Sequence, residues 1–201
     1  MSGLKEIMKE FGSDKSTYHS YTDIYEEKFL PIKNENIFIF ELGLGTNNID
    51  VPSNMGPSGK PGASLRGWRE YFPNGMIYGA DIDKRILFSE EKIETFYVDQ
   101  ANTIDIENLW NNEVLKNITF DIIIDDGVHQ PDPSFIFLEH SIHKLKSGGY
   151  YFIEDINVAL ISYYNDILNG FGKKYNFSHE IINLTNEINT TDNSLAVITK
   201  M

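Results

Sequence analysis

Two acidic pairs, Asp125-Asp126 and Glu154-Asp155, each close a short apolar run, and His129 follows the first pair within three residues. The runs at residues 120–124 and 150–153 read as strands buried on both faces. In open α/β sheets ligands collect beyond the carboxyl ends of the strands, so acids delivered there by two neighbouring strands, about 4.8 Å apart, can converge. Asp126, Glu154 and Asp155 then form a set of hard oxygen donors suited to Mg²⁺, or to Mn²⁺ or Ca²⁺, with positions left for water and substrate. Three carboxylates packed together repel unless a cation or a proton joins them; the alternative is that they serve as helix caps or as a salt-bridge cluster. His129 lies in the loop 127–131, where an imidazole poised near neutral pH can act as general base. His140 and His143 sit mid-helix at H-x-x-H spacing and read as surface or packing residues.

A second constellation precedes this one. Glu41-Leu42-Gly43-Leu44-Gly45-Thr46-Asn47 ends an apolar run, and its glycines allow close approach of backbone to a ligand. Asn48 stands where the third glycine of a dinucleotide fingerprint would be, which disfavours a pyrophosphate-binding turn. Asp81 ends the next run, where a carboxylate can accept from two ribose hydroxyls, and Asp99-Gln100 ends the one after, within reach of an adenine edge. Each acid could instead cap the helix that follows.

The elements that must position these residues follow from hydrophobic periodicity. Strands are expected at residues 37–42, 76–80, 95–98, 120–124 and 150–153, alternating with helices at 64–72, 103–114 and 134–145. A helix at 158–168 precedes two β-rich runs, 176–184 and 194–199, joined without a helix and therefore expected to pair antiparallel. This predicts a doubly wound, mostly parallel α/β sheet of seven strands in one domain: a helical cap over 1–33, with helices at 3–11 and 21–29, and a Rossmann-like core over 34–201. The Pro-, Gly-, Ser- and Asn-rich stretch 48–62 predicts a long loop over the ligand edge.

The 201 residues suffice for one core, burying roughly 70% of the unfolded chain's surface. With 30 acidic against 17 basic residues the net charge is −13, which opposes binding to a nucleic-acid backbone. Cysteine is absent, excluding disulfides, thiolate metal sites and a cysteine nucleophile. No apolar run approaches the roughly 18 residues of a membrane span, and the first eleven residues do not read as a signal peptide. A cytoplasmic protein without membrane or nucleic-acid partners is expected.

Taken together, these motifs resemble the class I S-adenosylmethionine-dependent methyltransferases, specifically the metal-dependent sugar O-methyltransferases typified by the mycinamicin and macrocin enzymes. The resemblance spans residues 12–155: Gly12-Ser13-Asp14-Lys15 with His19 and Tyr21, Glu41 to Gly45, Ser64-Leu65 with Trp68, Tyr78 to Ile82, Asp99-Gln100, Asp125 to His129 and Glu154-Asp155. It implies that Glu41, Gly43, Gly45, Thr46, Asn47, Ser64, Asp81, Asp99 and Gln100 hold S-adenosyl-L-methionine, with Asp126 adjoining. It further implies that Asp126, Glu154 and Asp155 bind Mg²⁺ or Mn²⁺ and that His129 is the base. Lys15, Tyr18 and His19 would cover the site. The implied acceptor is a hydroxyl of a sugar in a polysaccharide, glycolipid or natural product, and a homo-oligomer is a further implication. Two departures are the few residues before Gly12, where larger macrolide enzymes carry an extension, and the segment Ile156-Asn157-Val158 after the acidic pair. The competing readings are a metal-dependent hydrolase or lyase and a non-catalytic nucleoside-binding module on the same sheet.

Overall fold

Apolar runs without alternation need cover on both faces, and that is what they receive. The computed structural model describes residues 3–201, so Met1 and Ser2 of the N-terminal stretch lie outside it. Its strands are β1 (Phe38–Leu42), β2 (Met76–Asp81), β3 (Ser89–Glu90), β4 (Ile93–Tyr97), β5 (Phe120–Asp125), β6 (Leu145–Ile153), β7 (Phe177–Asn183) and β8 (Ser194–Lys200), in one sheet of order β3-β4-β2-β1-β5-β6-β8-β7. The helices are α1 (Leu4–Phe11), α2 (Thr22–Phe29), α3 (Ala63–Tyr71), α4 (Thr103–Trp110), α5 (Pro131–Ser141) and α6 (Ile161–Tyr175). The seven expected strands are joined by β3, a two-residue strand antiparallel to β4. The last two strands pair antiparallel, and β8 also runs antiparallel to β6. No helix among the described residues is long and apolar enough to cross a membrane.

The chain leaves β1 for β2 and β4 on one side, then returns to place β5 parallel to β1 on the other. That reversal opens a crevice at the carboxyl ends of β1 and β5, the usual ligand edge of such a sheet. Successive strand residues face opposite layers. Ile39, Ile122, Ile124 and Phe152 pack with Tyr25 and Phe29 of α2 and Leu65 and Trp68 of α3. Phe40, Ile123 and Tyr151 face the layer containing Ile106 of α4, Leu138 of α5 and Leu168 of α6.

The N-terminal helices are part of the first layer. Met8 of α1 lies where a Cβ on Gly67 would come within 2.5 Å of its sulfur, so α1 and α3 pack closely at this point. Tyr25 meets Phe152 edge-on at 4.8 Å and Trp68 at 5.4 Å between ring centroids, pairs worth about 0.5–1.5 kcal/mol each beyond area burial. Helix α6 runs past its expected end at 168, through Gly170 and Gly172, and stops at Asn176 in the left-handed conformation.

Candidate active site

The floor of the crevice is built by backbone. Gly43 turns out of β1 at φ 87°, and a Cβ there would sit 1.8 Å from the Asp126 carbonyl oxygen, so only glycine lets the loops after β1 and β5 touch. The Asp126 N–H donates to Leu42 O at 2.9 Å and the Gly43 N–H to Ala80 O at 2.9 Å, locking three strand ends together. Asp81 accepts from the N–H groups of Leu44 (2.7 Å) and Asp83 (2.8 Å). Over this floor lies a cavity of about 300 Å³, with Asp81 and Asp99 in its wall together with Asp126, His129 and Asp155.

Strand parity sorts the acids. Glu41 follows Ile39, Asp126 follows Ile124, and Glu154 follows Phe152, each two residues on, so all three turn toward the face covered by α2 and α3. There they surround Lys15, which is 1% exposed: its Nζ lies 2.5 Å from Asp126 Oδ2, 2.7 Å from Glu154 Oε2 and 3.6 Å from Glu41 Oε1. Burial disfavours the Lys15 charge, but Asp126, Glu154 and Glu41 outweigh it and hold the ammonium well above the usual lysine range. Burial pushes Glu154 upward, opposed by Lys15 and reinforced by Asp126 and Glu41. Glu154 Oε1 accepts from the Tyr25 hydroxyl, so both of its oxygens are engaged from the N-terminal segment.

Asp155 departs from strand geometry. Its φ is 55°, so strand alternation no longer decides where its carboxylate points. Oδ1 accepts from the Tyr21 hydroxyl at 2.7 Å and lies 3.3 Å from His19 Nδ1. His129, also at φ 55° and a third exposed, spans the two aspartates, with Nε2 3.2 Å from Asp126 Oδ1 and Nδ1 3.4 Å from Asp155 Oδ2. Burial alone would lower His129, but the Asp126 hydrogen bond and the charges of Asp155 and Asp126 push it up to about 10. Burial likewise raises Asp126, yet Lys15 and His129 hold it below the usual carboxylate range. Asp126, His129 and Asp155 each bring one potential ligand atom within 4.8 Å of the others, and the two carboxylates among them are hard oxygen donors of the kind a divalent cation takes.

Of the residues expected to hold the cofactor, Gly43, Gly45, Thr46, Asp81, Asp99 and Gln100 line the cavity. Glu41 and Ser64 do not: buried beneath the floor, Glu41 accepts from Ser64 Oγ at 2.5 Å and from the Trp68 indole. Asn47 is exposed outside the wall. The Gln100 amide is spent on protein, donating to Asp125 at 3.2 Å and accepting from the Val128 N–H at 2.7 Å. Of the residues expected to cover the site, Tyr18 is exposed, whereas Lys15 and His19 are buried.

Sequence reasoning missed the hydroxyls of Tyr21 and Tyr25, whose spacing with Phe29 marks a core stripe but conceals that their polar ends reach Asp155 and Glu154. It also missed the loop 185–193, which returns to the N-terminal segment: Asn193 Oδ1 accepts from the Ser20 N–H at 3.2 Å, and Asn186 Nδ2 donates to Ser20 Oγ at 3.1 Å. The available signal was the run of asparagines in a supposed surface connection, Asn186, Asn189 and Asn193, of which the last two are buried.

No protein-family model matches the chain. Among characterised proteins, the 8-demethyl-8-alpha-L-rhamnosyl tetracenomycin-C 2'-O-methyltransferase of Streptomyces olivaceus is 31% identical over 157 residues, covering 78% of this chain and 38% of that protein. The mycinamicin VI 2''-O-methyltransferase of Micromonospora griseorubida is 30% identical over 160 residues, covering 78% and 36%. The demethylmacrocin O-methyltransferase of Streptomyces fradiae is 29% identical over 157 residues, covering 78% and 37%. The chain thus spans under two fifths of the length of these relatives. Among solved structures, the MycE methyltransferase of the mycinamycin pathway, in complex with Mg and SAH, superposes with a TM-score of 0.71 at 23% identity, covering 99% of this chain and 55% of that one. A ribosomal RNA methyltransferase from Plasmodium falciparum superposes with a TM-score of 0.58 at 14% identity, covering 92% and 97%. These likenesses give the chain the class I methyltransferase fold.

Proposed function

We propose, from the premise that this chain is related to the S-adenosylmethionine-dependent sugar O-methyltransferases of macrolide and glycoside tailoring, that it methylates a hydroxyl of a glycosylated small molecule with the help of a divalent cation. The observation that carries this reading is the single cavity whose wall combines Asp81 and Asp99 with Asp126, His129 and Asp155. Both sets of side chains thereby border one cavity.

In this reading Asp81, its carboxylate fixed by two backbone N–H groups, accepts from the ribose hydroxyls of S-adenosylmethionine, and Asp99 stands at the adenine. Gly43 and Gly45 both line the cavity, so the donor would meet backbone there and no side chain of theirs. Asp126 and Asp155 would hold the ion, Mg²⁺ or Mn²⁺, with Glu154 adding its charge from behind Lys15. When bound, the ion supplies Lewis acidity, lowering the pKa of an acceptor hydroxyl and offsetting the carboxylate charge that otherwise keeps a proton on His129. His129, in the cavity wall, then takes the hydroxyl proton as the oxygen attacks the methyl carbon in line with the departing sulfur.

Calorimetric titration with S-adenosylhomocysteine, with and without Mg²⁺, tests the proposal. Micromolar binding followed by methyl transfer to a rhamnoside or macrolide glycoside is the expected result. Metal binding without any affinity for S-adenosylhomocysteine would favour a hydrolase or lyase instead.

A further inference from the structure

We infer that Tyr21 is a positioning residue for the divalent-cation site, its hydroxyl fixing Asp155 by backbone and side chain together so that Oδ2 is presented to the cavity. The inference rests on the cation site proposed above and assigns a part to a residue outside the ligand set.

The contact is reciprocal. The Tyr21 hydroxyl donates to Asp155 Oδ1 at 2.7 Å and accepts from the Asp155 N–H at 3.1 Å. One phenol thus holds two groups of the same residue, which fixes the backbone and the carboxylate relative to each other. Asp155 needs such a hold. Its φ of 55° is a left-handed conformation that a non-glycine residue adopts at a cost and keeps when its surroundings over-determine it.

Tyr21 itself is rigid. Its side chain is fully buried, stacked on His19 at 5.0 Å and 22° and edge-on to Tyr25 at 6.4 Å. Its hydroxyl also lies 3.2 Å from the Asp192 carbonyl oxygen, so the loop 185–193 backs it from the far side.

The carboxylate oxygens are divided in a consistent way. Lys15 takes Asp126 Oδ2 and Tyr21 takes Asp155 Oδ1, while Asp126 Oδ1 and Asp155 Oδ2 both turn to His129. Each ion-facing aspartate is therefore held by one oxygen from the N-terminal segment and left one oxygen for the cavity. Outer partners of this kind typically govern 10- to 100-fold in metal affinity.

The test is Tyr21→Phe, which deletes one oxygen and keeps the ring, with His19→Phe as its companion because His19 is the other group near Asp155 Oδ1. Mn²⁺ binding is followed by electron paramagnetic resonance and S-adenosylhomocysteine binding by calorimetry in metal-free buffer. The expected result for Tyr21→Phe is Mn²⁺ affinity about 10- to 100-fold weaker with S-adenosylhomocysteine affinity unchanged, and a smaller loss for His19→Phe. Wild-type Mn²⁺ affinity in Tyr21→Phe overturns the inference. So does simultaneous loss of S-adenosylhomocysteine binding, which would mark a purely structural tyrosine. A wild-type protein that binds Mn²⁺ but not S-adenosylhomocysteine would sink the methyl-transfer reading and leave the Tyr21 comparison standing.

Discussion

Lys15 Nζ and Asp126 Oδ2 lie 2.5 Å apart although 111 residues separate them, and the lysine is fully enclosed. A buried ammonium among Glu41, Asp126 and Glu154 is a resident positive charge at the carboxyl edge of the sheet. Without it those acids would face one another in a low dielectric.

Replacing this cation is therefore expected to be costly. Lys15→Met should lower unfolding free energy by about 3–5 kcal/mol, the usual consequence of leaving a buried charge unpaired. Urea denaturation measures the loss. Mg²⁺ should also raise the melting temperature of Lys15→Met more than that of the wild type, since the ion would replace part of the missing charge. An equal rise in both proteins would mean that Lys15 and the ion do not share the Asp126 carboxylate.

His129→Ala should leave S-adenosylhomocysteine binding near wild type and reduce turnover by roughly 10²- to 10⁴-fold. Steady-state kinetics on an accepted glycoside decide the matter. Unchanged turnover would remove His129 from the role of base.

Asp81→Asn is expected to act at the other end of the cavity. The two N–H donors of Leu44 and Asp83 compete for one remaining carbonyl oxygen, and binding of S-adenosylhomocysteine should weaken roughly 10- to 100-fold, the scale of a lost charged hydrogen bond. Mn²⁺ affinity should stay as it is. If the metal is lost and the nucleoside kept, the two halves of the cavity have been interchanged.

Asp125 gives a pH prediction. It faces the layer of Ile123, away from Lys15, and burial pushes it up to about 6 despite hydrogen bonds from Ser134, Gly127 and Gln100. Below about pH 4 the group is protonated in both folded and unfolded chains and contributes nothing. Between about 4 and 6 the unfolded chain ionises first, so stability falls as pH rises; above 6 the loss is complete, at most about 3 kcal/mol. Asp125→Asn should therefore be more stable than wild type at pH 7 and equal to it near pH 4, as thermal scans at both values would read.

Much of this arrangement was legible in the sequence because hydrophobic runs ending in acids set both strand position and side-chain parity. The same parity, applied one step further, already turns Glu154 to the side of Phe152, where Tyr25 and Lys15 wait. Three things were not legible. The left-handed turn at Asp155 comes from a non-glycine residue held by a partner 134 residues away. The positions of Glu41 and Ser64 beneath the floor depend on how α3 packs on the sheet, which periodicity does not give. The loop 185–193 has the composition of a surface connection, and only its docking on Ser20 reveals its part in the site.

The attachment of the N-terminal segment to the far end of the chain has a consequence for biosynthesis. Lys15, Ser20 and Tyr25 leave the ribosome before their partners Asp126, Asn193 and Glu154, which follow 111, 173 and 129 residues later. At ordinary translation speeds that is a wait of roughly five to thirty-five seconds. During it the aromatic stripe of α2 has neither Phe152 to cover it nor an acid to take its hydroxyl, so the nascent chain exposes apolar surface that the folded protein buries.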